Sequence, residues 1–77
     1  MTKQSYIELL EKFESVLKKD IIHFQEQKTT ILELVTSKNA SDINFMLHSI
    51  FILIEESENR TNKILQNLQT ELTVQKL

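Results

Sequence analysis

The stretch that decides the fold is INFMLHSIFILI, residues 43–54, which ends in five consecutive apolar residues at positions 50–54. Five successive residues cover more than one turn of an α-helix, so their side chains point in every direction around the helix axis. A single neighbouring helix covers only one stripe of such a segment. We therefore expect the remaining apolar sides of this stretch to pack against other protein.

A buried β-strand is the competing interpretation of residues 51–54, because Ile and Phe favour sheets. The rest of the chain offers no second strand to pair with it, and the 77 residues include neither Gly nor Pro. The tight turns of sheet proteins rely on those two residues. The composition therefore predicts an all-α chain with very few turns.

Apolar residues recur at steps of three and four in two long segments. This spacing predicts one helix over about residues 3–36 and a second over about residues 41–75. A polar, turn-like cluster separates them, in which Asn39 or Ser41 is suited to cap the second helix. A short link between two long helices folds them back antiparallel. The predicted fold class is an all-α, long antiparallel two-helix hairpin that forms a single domain over residues 1–77.

The apolar stripe of the first helix is wide. Leu10, Leu17, Phe24 and Ile31 fill one heptad position, and Val16 is one of several residues that broaden the stripe beyond a two-stranded seam. A wide stripe is typical of bundles with more than two helices. We expect two hairpins to dimerise into a four-helix bundle.

The interface of this dimer is expected to use apolar residues that a lone hairpin leaves uncovered. Monomers seldom expose several such side chains together, and fully burying each one contributes about 1.5–3 kcal/mol. The inner face of the second helix is predicted to include Ile54, Ile64 and Leu68. The predicted interface residues are Leu17 and Phe24 of the first helix and Phe45, Leu47, Ile50, Phe51, Ile52 and Ile54 of the second.

One charged pair is a candidate for fixing the register of the hairpin. Residues at equal distances along the chain from the turn face each other, which places Asp20 opposite Arg60, the only arginine. One interpretation is that these side chains pair, because a misaligned hairpin would leave Asp20 facing apolar groups. The other interpretation is that each side chain points outward into water.

Composition also limits the partners. The absence of Cys excludes disulfides and thiolate metal sites. A formal net charge of −2 provides no basic footprint for nucleic acid or an anionic membrane surface. No apolar run approaches the roughly 20 residues of a membrane span, and the first residues form no secretory signal. We expect a cytoplasmic protein whose partner is itself or another helical protein.

Two residues, His23 and His48, are candidates for a catalytic or phosphotransfer role. A phosphotransfer histidine is normally exposed and closely followed by Lys and Gly, and this chain has no Gly. The Glu-x-x-His motif of di-metal bundles is also absent, and two long helices build no pocket for Ser, His and Asp. We therefore expect no enzyme, with no catalytic, cofactor-binding or metal-binding residues, and a histidine phosphotransfer bundle is the least favoured alternative.

In size, acidity and hairpin form the chain resembles the small helical-hairpin chaperones and co-chaperones of bacterial flagellar and type III secretion systems. That resemblance implies a hetero-complex with a client protein. The physical pattern itself favours a non-enzymatic protein–protein interaction module, such as a small adaptor, regulator or chaperone, that presents an apolar helical surface as a homodimer. The secretion-type chaperone is the alternative.

Overall fold

Two long α-helices make up the chain. The computed structural model describes the backbone of residues 1–37 and 41–77 and the side chains of residues 1–35 and 44–77. Helix α1 spans Lys3–Ser37 and helix α2 spans Ser41–Lys76. Residues 51–54 lie inside α2, so the strand interpretation is wrong and the all-α prediction is confirmed. The capping roles predicted for Asn39 and Ser41 fall on side chains outside the described residues.

Helix α1 begins at a cap that the apolar pattern did not predict. The Oγ1 atom of Thr2 accepts a hydrogen bond from the backbone N–H of Ser5 at 3.1 Å. The carbonyl oxygen of Thr2 accepts the first helical bond, from the N–H of Tyr6 at 3.0 Å. Thr2 is therefore the N-cap residue, and its hydroxyl satisfies one of the backbone donors that a helix start leaves without a partner.

The helices run antiparallel along the whole molecule. The molecule measures 56 × 18 × 14 Å, and a helix of this length spans about 54 Å at 1.5 Å per residue. Near the turn, Val35 of α1 and Asn44 of α2 line the same groove. Near the other end, Lys76 Nζ of α2 lies 3.9 Å from Glu11 Oε1 of α1. The predicted hairpin is therefore confirmed.

The core of the hairpin is thin. A single row of half-buried apolar residues on each helix forms the seam between α1 and α2, and few side chains in the described part of the chain are truly buried. Two helices cover only one stripe of each other's surface, so this is the expected limit of a lone hairpin. The buried apolar residues are Ile7, Ile31, Leu65 and Leu72.

The inner face of α2 differs from the prediction in its second half. Ile64 was expected to face α1, but it is 56% exposed, whereas its neighbour Leu65 is 8% exposed. The reason lies one heptad earlier, where Glu58 is buried and Ser57 is only half-buried. The seam follows Glu58 and then Leu65, because a residue seven positions further along a helix returns to the same face.

Candidate interaction surface

An ion pair between the helices explains why a glutamate occupies the seam. Lys28 Nζ of α1 pairs with Glu58 Oε1 of α2, and the two side chains are 22% and 9% exposed. The same ammonium lies 5.9 Å from the centroid of the Phe51 ring, within the range of a cation–π contact. Lys28 and Glu58 thus fill two seam positions that would otherwise be apolar.

The geometry of antiparallel helices brings these two long side chains together. Lys28 and Phe51 are at nearly equal distances along the chain from the turn, and Glu58 lies two helical turns beyond Phe51. Side chains lean towards the N-terminus of their own helix. In an antiparallel pair, Lys28 and Glu58 therefore lean towards each other and span that separation. A shift in register would leave a buried charge without its partner, which is costly.

The predicted register pair is placed differently. Asp20 and Arg60 are both exposed, and the three ion pairs found among the described side chains do not include them. Arg60 Nη2 instead donates to Ser57 Oγ at 3.4 Å on its own helix. Within one hairpin, Asp20 and Arg60 therefore do not pair, and each side chain points into water, which was the alternative interpretation of the sequence.

The eight predicted interface residues fall into two groups. One group is half-buried in the seam between α1 and α2, where it forms the hairpin's own core. The other group is exposed on α2, with Phe45 74% exposed and Ile52 44% exposed. The seam group is Leu17, Phe24, Leu47, Phe51 and Ile54, and the exposed group is Phe45, Ile50 and Ile52.

A row of residues, all exposed except half-buried Ser57, runs along one flank of each helix at alternating steps of four and three. Such steps keep a row on one helix face. His23, Gln27 and Thr30 of the α1 row line one groove together with Ile50 of the α2 row, so both rows border the same side of the hairpin. We call this side the broad face. Its α1 row is Leu9, Phe13, Val16, Asp20, His23, Gln27 and Thr30, and its α2 row is Met46, Ile50, Leu53, Ser57, Arg60 and Ile64.

The broad face is polar in its middle and apolar on both helices at the end far from the turn. At the turn end it is apolar on α2 and polar on α1. Seven of its large apolar side chains are exposed, three on α1 and four on α2. Asp20 and Arg60 occupy the polar middle, one on each helix. Large exposed apolar patches of this kind occur where a protein contacts another protein, a membrane or a ligand.

The opposite side of the hairpin carries an apolar groove near the turn. It has a volume of about 590 Å³, and Phe45 stands at its edge. Asn44 Oδ1 is buried there without a hydrogen-bond partner among the described residues. The groove is confined to one end of the molecule, unlike the broad face. It is lined by Ile31, Leu32, Val35, Asn44, Phe45, His48 and Phe51.

The two histidines lie at separate, open positions. His23 is exposed on the broad face, with its Nδ1 atom 3.9 Å from Glu26 Oε2, and exposed His48 lines the turn-end groove. Within the described residues, no group of three or more His, Asp or Glu side chains is arranged to hold a metal ion. In the same part of the chain, neither helix combines the length and hydropathy required to cross a membrane.

Comparisons with known proteins do not assign the chain to a family. It matches no protein-family model, no curated protein and no solved structure at a significant level. The functional interpretation therefore rests on the surfaces of the hairpin, of which the broad face carries seven exposed large apolar side chains.

Proposed function

We propose that this chain is a non-enzymatic protein–protein interaction module that acts as a homodimer, with two hairpins packed into a four-helix bundle. The observation that carries this proposal is the apolar broad face, which extends over both helices. The core of this small hairpin is thin, and the chain has no Cys that could form a stabilising disulfide. Association with a second copy is a common way for small chains to gain stability.

The surface area of the hairpin supports the same proposal. The isolated chain exposes 5,899 Å². A compact folded protein of 9.1 kDa exposes about 4,900 Å², so the hairpin carries an excess of about 1,000 Å². Each partner in a standard protein–protein interface buries about 800 Å². Pairing two hairpins would therefore remove an area close to the excess.

The shape supports it as well. The radius of gyration is 17.4 Å, against about 11–12 Å for a compact domain of this length. Two rods packed side by side make a thicker particle with a shared interior, which is the architecture of four-helix bundles. In such a particle the bundle would act as an adaptor, regulator or chaperone through its remaining helical surface.

Sedimentation equilibrium of the purified chain over a range of micromolar concentrations tests this proposal. We expect a particle of twice the 9.1 kDa chain mass at the upper concentrations. A chain that remains at 9.1 kDa throughout and stays in solution would contradict the homodimer. If such a monomer instead formed a 1:1 complex with a helical client, the chaperone alternative would replace it.

A further inference from the structure

We propose that two copies pack broad face to broad face with their turns at the same end, and that Asp20 of each copy pairs with Arg60 of the other. This inference rests on the homodimer proposed above. It adds which face is buried, how the two hairpins are oriented, and which polar contact lies at the centre of the interface.

The positions of the two charges provide the first argument. Asp20 lies at the midpoint of α1 (Lys3–Ser37), and Arg60 lies within two residues of the midpoint of α2 (Ser41–Lys76). Because the helices are antiparallel, the two residues lie at the same level of the rod. Both are exposed on the broad face, and neither forms an ion pair with a described side chain of its own hairpin.

Symmetry then determines what each charge meets. Two copies packed face to face are related by a twofold axis that runs either along the rod or across it. The axis along the rod places α1 of one copy against α2 of the other, so Asp20 meets Arg60 of the partner copy twice. The axis across the rod places α1 against α1, so Asp20 meets Asp20 and Arg60 meets Arg60. Like charges held opposite each other are unfavourable, so the charges select the first arrangement.

The apolar residues at the end far from the turn agree with that choice. With the axis along the rod, residues at equal levels of α1 and α2 come together across the interface. Phe13 and Val16 are at the level of Ile64, and all three are exposed on the broad face. At the end far from the turn, this arrangement therefore places exposed apolar side chains of one copy on exposed apolar side chains of the other. At the turn end, Ile50 and Leu53 of one copy lie level with Thr30 and Gln27 of the other. The exposed pair of charges marks the centre and gives the contact its specificity.

A pair of charge-reversal variants tests the contact between copies. The Asp20→Arg variant places two arginines at each contact, and the Arg60→Asp variant places two aspartates there. Each change turns two attractive contacts into repulsive ones. We therefore expect the dissociation constant of each variant alone to rise roughly 10- to 100-fold at low salt.

Mixing the two variants should restore the dimer. In a mixed dimer, the arginine introduced at position 20 of one copy faces the aspartate introduced at position 60 of the other. The second contact keeps the native Asp20 and Arg60, one from each copy. Both contacts are attractive again, so the mixed dimer should form at about the wild-type affinity.

The control is a charge reversal of the same size away from the broad face. Glu55 is exposed and lies seven positions after His48, so it shares the flank of α2 that borders the turn-end groove. Glu55→Arg should leave the dissociation constant within about threefold of the wild type, as a surface change outside the contact. Circular dichroism confirms that each variant keeps its helices.

The outcomes separate this inference from the proposed function. If both the Asp20 and the Arg60 variants dimerise as the wild type does, the homodimer stands and the face assignment is overturned. If the variants are weak and mixing does not restore dimers, the pairing between copies is overturned. If the wild-type chain does not dimerise, the proposed function fails as well.

Discussion

Two pairs of opposite charges lie on this hairpin, and they sit in different surroundings. Lys28 and Glu58 face each other inside the seam and are largely shielded from water. Asp20 and Arg60 lie at the same level of the rod on the exposed broad face, where they do not pair with each other within one hairpin. The residue types are nearly the same, so their position on the helix surface decides whether a pair joins the two helices of one hairpin or stays exposed.

The energetic consequences of the two pairs differ accordingly. Removing one member of a buried pair leaves the other charge in an apolar setting, which is strongly destabilising. An exposed pair contributes little to the fold, because water and salt screen it. Changes at Lys28 and Glu58 should therefore alter folding, whereas changes at Asp20 and Arg60 should alter association.

The largest effect is expected from Lys28→Ala, which leaves Glu58 buried without its partner. The free energy of unfolding should fall by about 3 kcal/mol, measured by urea denaturation at one fixed protein concentration. Replacing both residues together, Lys28→Leu with Glu58→Leu, should leave stability level or raise it by about 1–4 kcal/mol. A loss in the double variant as large as that in the single variant would show that the attraction between the two charges, and not the unpaired charge of Glu58, sets the effect.

Leu65 and Ile64 provide the next comparison, because they are neighbours on the chain but lie on different faces of α2, Leu65 in the seam and Ile64 on the broad face. Leu65→Ala removes a buried seam residue and should lower the free energy of unfolding by about 2–3 kcal/mol. Ile64→Ala removes an exposed broad-face residue and should instead raise the dissociation constant of the dimer, by roughly tenfold. Urea denaturation and sedimentation equilibrium on both variants check the pair of expectations. Equal effects of the two variants in both measurements would contradict the assigned inner face.

The broad face and the opposite side of the hairpin can be compared by introducing one carboxylate on each and measuring dimer affinity. Phe13→Glu places a carboxylate in the apolar part of the broad face and should raise the dissociation constant by roughly 100-fold. Phe45→Glu makes the same change on the other side and should leave the dissociation constant unchanged. Light scattering at matched concentrations distinguishes them. A dimer that loses affinity only with Phe45→Glu would assign the interface to the turn-end groove instead.

The smallest effect is the response to salt. Raising sodium chloride from about 0.05 to 0.5 M shortens the screening length and should weaken the wild-type dimer by less than about tenfold. The Asp20→Asn variant removes one charge from each contact, so its dissociation constant should respond less to salt. The same salt dependence in both proteins would argue against a contact between Asp20 and Arg60 across the interface.

The fold was predictable from the sequence because helical periodicity is strong and Gly and Pro are absent. The pair in the seam was missed for a physical reason. Lys28 interrupts the apolar pattern of α1, and Glu58 belongs to a polar segment of α2. A prediction based on hydrophobicity therefore places both residues outside the core. The sequence did contain a signal for this pair. Lys28 and Glu58 carry opposite charges, and in antiparallel helices their side chains lean towards each other.

The surface was predictable only in part. A run of five apolar residues shows that more than one side of the helix is to be buried. It does not show which side packs against α1 in the seam. That depends on the rotation of α2, which follows Glu58 and thereby turns Leu65 inward and Ile64 outward. On α1, Leu17 and Phe24 became part of the seam, while Phe13 and Val16 were left on the broad face.

The most direct test of this account is a distance between the two copies. The chain has no Cys, so Lys3→Cys places a single spin label at the exposed start of α1, far from the turn. Double electron–electron resonance then measures the separation of the two labels in the dimer. Hairpins packed broad face to broad face with their turns together predict a distance less than half the 56 Å length of the rod. A distance close to the full length, or no dipolar coupling at micromolar concentration, would contradict the account.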